Sequence, residues 1–143
     1  MQKIFVLLTV LTAALAGCGN DSDTEGGGDG RGKEAQACAS TPTPIASPTS
    51  LPTTFPNPVS VTYTSTEALG PTQVIKGYTS TEFEDAFMKY KDAMATGGYS
   101  VTKSEKEEDD AEVNFAGHDT TGQVKLEVDC KDRTSVRLTI RPV

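Results

Sequence analysis

The stretch TEFEDAFMKYKDAMATGG, residues 81–98, decides the fold. Phe83, Ala86, Phe87, Tyr90, Ala93 and Met94 recur at i, i+3, i+4 and i+7 spacing, which puts one apolar stripe on a helix. Thr81 with Glu84 three residues later reads as a capping box, and Glu82, Glu84 and Asp85 set acid at the positive end of the helix dipole. Asp85 and Lys89 add an i, i+4 pair on the wet side, and Gly97-Gly98 ends the helix.

Beyond residue 98 the apolar period drops to 2. Tyr99 and Val101; Ala111, Val113 and Phe115; Val124, Leu126, Val128 and Cys130; and Val136, Leu138 and Ile140 predict four strands, each with one buried and one wet face. The separators are the charged run Glu105 to Asp110, the loop Gly117 to Gly122 and a turn at Asp132 to Thr134, which suits an antiparallel meander. A three-residue last turn would set Cys130 opposite Val136, Val128 opposite Leu138, and Asp129 opposite Arg137 as an ion pair. Upstream of the helix, Val59, Val61 and Tyr63 suggest one strand and Val74 to Tyr78 another, with a turn at Gly70-Pro71. Residues 59–143 therefore read as a small α+β domain, one helix across an antiparallel sheet of four to six strands, with room for one modest core.

The N-terminus has a different logic. One base, Lys3, precedes an apolar run of about 12 residues from Ile4 to Leu15, short of the roughly 20 that span a bilayer, and small residues follow, as in a secretory signal peptide. The tetrapeptide Leu15-Ala16-Gly17-Cys18 resembles the lipobox of bacterial lipoproteins. That resemblance covers about the first 20 residues. It implies removal of residues 1–17, acylation of Cys18 with diacylglycerol, and a chain held to a bacterial membrane outside the cytoplasm. Each buried methylene adds about 0.8 kcal/mol, so two or more acyl chains give stable anchoring where one does not.

Loss of residues 1–17 takes one base and no acid, moving the formal charge from −7 to −8. Nucleic-acid affinity rests on Lys and Arg displacing phosphate counterions, so nucleic acid is not an expected partner. Residues 18–58 are first rich in Gly, Asp, Asn and Ser, then in Thr, Pro and Ser, without hydrophobic periodicity. Such compositions predict a disordered tether, part flexible coil and part extended stalk, of a kind that can also carry O-linked sugars. Two imitation motifs lie in it. Asp21, Asp23, Glu25 and Gly26 start like a calcium loop, but Gly32 stands where the bidentate Glu belongs. Gly27 to Lys33 fits a phosphate loop, but Glu34 replaces the magnesium-binding Ser or Thr.

Outside the cytoplasm Cys38 and Cys130 are available for a disulfide, although their apparent settings, one in the tether and one in the core, leave two separate cysteines equally open. His118 beside Asp119, Thr120 and Thr121 has the ingredients of a triad, but adjacent side chains rarely meet in that geometry, and a plain hairpin loop explains them. A lone His does not make a zinc site. Glu105, Glu107, Glu108, Asp109, Asp110 and Glu112 form the densest charge run, read as a solvated loop. No catalytic residue, metal or cofactor is assigned.

The segment from Gly98 to Pro142, with AEVNFAG, GQVKLEV, CKDRTSV and TIRP, looks like small uncharacterised exported proteins of actinobacteria, a resemblance that implies no activity. The helix-on-sheet shape is similar, by topology alone, to cystatin-like modules. The expected function is a membrane-anchored envelope lipoprotein whose noncatalytic domain binds a protein or an envelope polymer. The alternative is a tethered inhibitor or ligand-sequestering module, which would need a concave, partly apolar surface beside the helix.

Overall fold

The computed structural model describes residues 36–143; the signal segment, Cys18 and the two imitation motifs lie outside the described residues. Strands β1 (Thr62–Leu69) and β2 (Thr72–Thr79) precede the helix α1 (Phe83–Thr96), and β3 (Ser100–Lys106), β4 (Asp110–Gly117), β5 (Thr120–Cys130) and β6 (Arg133–Pro142) follow it. They form one open antiparallel sheet of six strands in the order β1-β2-β6-β5-β4-β3. β3 to β6 make the expected meander, and β6 joins it to the β1–β2 hairpin. With a single helix against six strands the fold is more β than the expected α+β balance.

The helix buries Phe83, Ala86, Phe87, Tyr90 and Met94, the stripe its spacing predicts. It ends as a Schellman motif: Gly98 takes φ +82°, the Gly97 N–H donates to Ala93 O at 2.8 Å, and the Tyr99 N–H reaches back to Met94 O at 3.0 Å. The expected capping box does not form. Glu82 is the cap residue and makes no side-chain cap bond. Thr81 is committed elsewhere: its N–H donates to Thr79 Oγ1 at 3.1 Å, its hydroxyl accepts from Thr79, and its carbonyl accepts from buried Thr134 at 3.0 Å. Glu84, the intended partner in the box, is drawn instead to Lys106 on β3.

Alternation on the strands delivers Ile75, Val113, Phe115, Val124, Leu126, Val136, Leu138 and Ile140 to the face under the helix. α1 lies over β3 to β6. Beside it, the core is completed from the segment before β1, where Leu51 and Phe55 belong to the expected tether and Val59 and Val61 to the expected first strand, which begins only at Thr62. Phe55 and Val59 are buried, and Leu51 and Val61 pack against the same cluster. Phe55 meets Phe115 and Tyr99 edge-on, with ring centroids 5.5 and 6.1 Å apart. The described half of the expected tether, residues 36–58, is thus laid along the domain and not free. Turns closed by Leu51 N–H to Pro48 O and Phe55 N–H to Pro52 O shape it, and the Ile45 N–H donates to Tyr63 O at 2.8 Å. Bulk composition reads this stretch as polar, yet a few apolar side chains suffice to seat it, since burying a Phe or Leu contributes about 1.5–3 kcal/mol.

The β5–β6 turn also differs from the expected three-residue loop. Only Lys131 and Asp132 form it, with Asp132 at φ +59°, and a bulge falls between Val128 and Cys130. Leu126 therefore faces Val136 and Val124 faces Leu138. Up to Val128 the strand slides by four residues relative to expectation, so the inward and outward sets there survive while every partner changes; past the bulge Cys130 pairs with Arg133 and stands outside the core cluster in which it was expected. Arg137 meets Lys125 in place of Asp129, and Asp129 pairs with Arg133 at 2.6 Å.

Candidate binding face on the open side of the sheet

A six-stranded sheet with a helix on one side leaves its other face to solvent, and here the outward residues of β2, β6, β5, β4 and β3 form polar rows across the strands. One row runs Lys76, Arg137, Lys125, Glu112, Glu105. The next runs Val74, Thr139, Gln123, Asn114, Lys103, polar except for the buried Val74, and a third joins Arg141 to Thr121. Three bases thus stand side by side on β2, β6 and β5 of an acidic protein. Like charges directly opposite one another in a sheet are destabilising. Lys125 is offset by Glu127 at 2.9 Å and Asp110 at 3.5 Å, and its hydrogen bond to Glu127 is the main cause that raises its pKa. Among the described residues Lys76, Arg137 and Arg141 have no ion-pair partner, and all three are exposed.

Asn114, Thr121, Gly122, Gln123, Thr139 and Arg141 line a shallow depression of about 240 Å³ on this face. Gln123 is held by donating from Nε2 to Glu112 at 3.0 Å and to Asn114 Oδ1 at 3.3 Å, and Thr121 donates to Phe115 O at 3.0 Å. These bonds orient the amides and leave Gln123 Oε1, Asn114 Nδ2 and the Thr139 hydroxyl without a protein partner among the described residues. The floor is tightly fixed from below: a Cβ on Gly122 would lie 2.1 Å from Thr139 O and 2.7 Å from Phe115 Cζ, so only glycine fits between strip and core.

Cys38 and Cys130 form a disulfide, with Cα atoms 5.1 Å apart. It belongs to a clasp between the strap and the β5–β6 turn, in which Lys131 N–H donates to Gln36 O and Arg133 donates to Ser40 O at 2.7 Å. Arg133 also lies over the Tyr78 ring at 5.5 Å. His118 and Asp119 both take positive φ, 50° and 57°, and make a two-residue hairpin loop of the I′ kind between β4 and β5. The imidazole packs on Tyr99 at 4.8 Å, with Nε2 2.9 Å from the Gly97 carbonyl that ends the helix. Thr120 and Thr121 spend their hydroxyls on backbone carbonyls of their own hairpin, so the four residues are not brought together as a triad.

Of the acidic run, expected to be a solvated loop, Glu105 lies on β3 and Asp110 and Glu112 on β4, while Glu107, Glu108, Asp109 and Asp110 line an open depression of about 510 Å³ with Glu127 and Val128. Among the described residues no group of three or more His, Cys, Asp or Glu side chains is arranged to hold a metal ion. A second hollow, about 320 Å³, sits at the helix start beside the disulfide, lined by Phe83, Val128, Cys130 and Arg133 among others. No described helix is long and apolar enough to cross a membrane. Compared with known proteins, the chain matches no family model, no curated protein and no solved structure.

Proposed function

We propose that this protein is a lipid-anchored, noncatalytic binding module of the bacterial cell envelope. Acyl chains on Cys18 hold it outside the cytoplasm, and the open face of its sheet engages a polymer or protein of the envelope. The lipobox-like tetrapeptide and the apolar run before it support the anchor. The observation that carries the binding reading is the bare face itself, where Lys76 and Arg137 stand side by side and neither has an ion-pair partner among the described residues. A surface that retains such repulsion is stabilised when an anionic group arrives.

The test is co-sedimentation of the mature chain, with Cys18→Ser to keep it off membranes, with insoluble envelope material. Charge reversal on the open face, Arg137→Glu with Arg141→Glu, is compared with reversal on the helix, Lys89→Glu with Lys91→Glu. Loss of retention with the first pair and not the second supports the reading; equal retention of both contradicts it.

A tethered inhibitor or sequestering module is the second reading, favoured by the hollow beside the helix start with buried Phe83 in its wall. It predicts that Phe83→Ser, and not the open-face pair, abolishes binding.

A further inference from the structure

We propose that the strip between Arg137 and Arg141 is a binding site for an acidic polysaccharide, its hydroxyl groups on Asn114, Gln123, Thr139 and Thr121 and its carboxylates on the two guanidinium groups. The inference rests on the open face being the binding face and names the ligand class for it.

The strip's chemistry selects against the other occupants of such a face. A protein partner needs an apolar anchor, but the exposed large apolar side chains among the described residues are Ile45, Leu69, Met88 and Val143, none of which lines the strip. An anionic membrane surface would likewise need an apolar or aromatic wedge, and it would meet Glu112 and Glu127 on the same side of the sheet. A polyphosphate presents charge at every link and no hydroxyl for the amides, and the strip offers it only two free bases.

An acidic glycan differs from all three in offering hydroxyls beside each carboxylate. The floor presents what hydroxyls require: an amide acceptor at Gln123 Oε1, an amide donor at Asn114 Nδ2, and the Thr139 hydroxyl able to do either. These groups sit on adjacent strands in one row, and the bonds from Gln123 to Glu112 and Asn114 hold the amide planes before any ligand arrives. Arg137 and Arg141 lie four residues apart on the same face of β6, roughly 14 Å along the strand. That interval suits carboxylates on separate sugar units and not a single small anion. Each guanidinium offers a planar fork that pairs with carboxylate in a bidentate manner. Lys76 beside Arg137 raises the local positive potential at that end, whereas Lys125 on the other side is offset by Glu127 and Asp110.

The probe is an oligogalacturonate added to the isotopically labelled mature chain carrying Cys18→Ser, followed by backbone and side-chain amide NMR. Expected are saturable shifts at Asn114, Gln123, Thr139 and Arg141, with the helix unmoved. Arg137→Ala with Arg141→Ala should weaken binding by about tenfold or more while the rest of the spectrum stays folded. Gln123→Ala should weaken it several-fold without changing its salt dependence. Equal binding of a neutral dextran oligomer, tighter binding of inorganic polyphosphate, the same shifts from vesicles of anionic lipid, or shifts confined to other faces would overturn the assignment. Envelope retention that depends on the open face, without any response to oligogalacturonate, would overturn the ligand class and leave the binding face standing.

Discussion

Phe55 packs edge-on against Phe115 at 5.5 Å, joining a residue of the proline-rich strap to the centre of the sheet 60 positions later. The contact makes the strap part of the core.

Phe55→Ala should cost about 3 kcal/mol, within the usual range for truncating a buried aromatic. Urea denaturation would show this as a lower midpoint at unchanged slope. A free tether would tolerate the change without effect.

Cys38→Ser opens the clasp between strap and β5–β6 turn. The bond closes a sequence separation of 92 residues. Its removal should therefore destabilise the fold by up to about 4–5 kcal/mol on a chain-entropy view. Limited proteolysis should then cut within residues 36–50, a stretch that resists cleavage in the oxidised protein.

Tyr90 sits in the core with its hydroxyl buried and without a hydrogen-bond partner among the described residues. Burial, with a smaller contribution from nearby Tyr63, raises its pKa well above the ordinary value of 10.0. Because the folded value exceeds the unfolded one, the associated stability is intact below about pH 10 and is lost as pH rises above it. Tyr90→Phe removes the unsatisfied group and should stabilise the fold by about 1 kcal/mol at neutral pH. Ultraviolet titration should show the alkaline unfolding transition displaced upward in the variant.

Glu84 has the opposite sign. The hydrogen bond and charge of Lys106 lower its pKa below the ordinary 4.5, so this contribution is present above that value and fades as pH falls through the lowered one. Lys106→Met should flatten the acid limb of the stability curve, and added salt should mimic the substitution, because the pair lies on the surface.

Much of the architecture was legible because alternation and helical spacing are periodic signals. Phe83 to Met94 marked the helix face, and Val113, Phe115, Val124, Leu126, Leu138 and Ile140 marked the inner side of the sheet. What was not legible lacked a period. Leu51 and Phe55 anchor an irregular strap among prolines and threonines, and no repeat announces them. The β5–β6 turn carries no glycine: Asp132 adopts the left-handed conformation itself, so nothing in the sequence marked the shorter loop or the bulge behind it. Thr81 looked like a cap until Thr79 and Thr134, neighbours only in space, claimed its groups. The candidate strip was hidden for the same reason. Arg137, Arg141, Gln123 and Asn114 were outward residues of separate strands, and their juxtaposition depends on a register set by that turn.

The central claim is a domain anchored by lipid outside the cytoplasm, and intact mass with membrane fractionation tests it most directly. Expressed in a bacterium, the wild-type chain should start at residue 18, carry acyl chains and sediment with membranes, and Cys18→Ser should lose both the added mass and the membrane association. A wild-type protein that is soluble and unacylated would contradict the account.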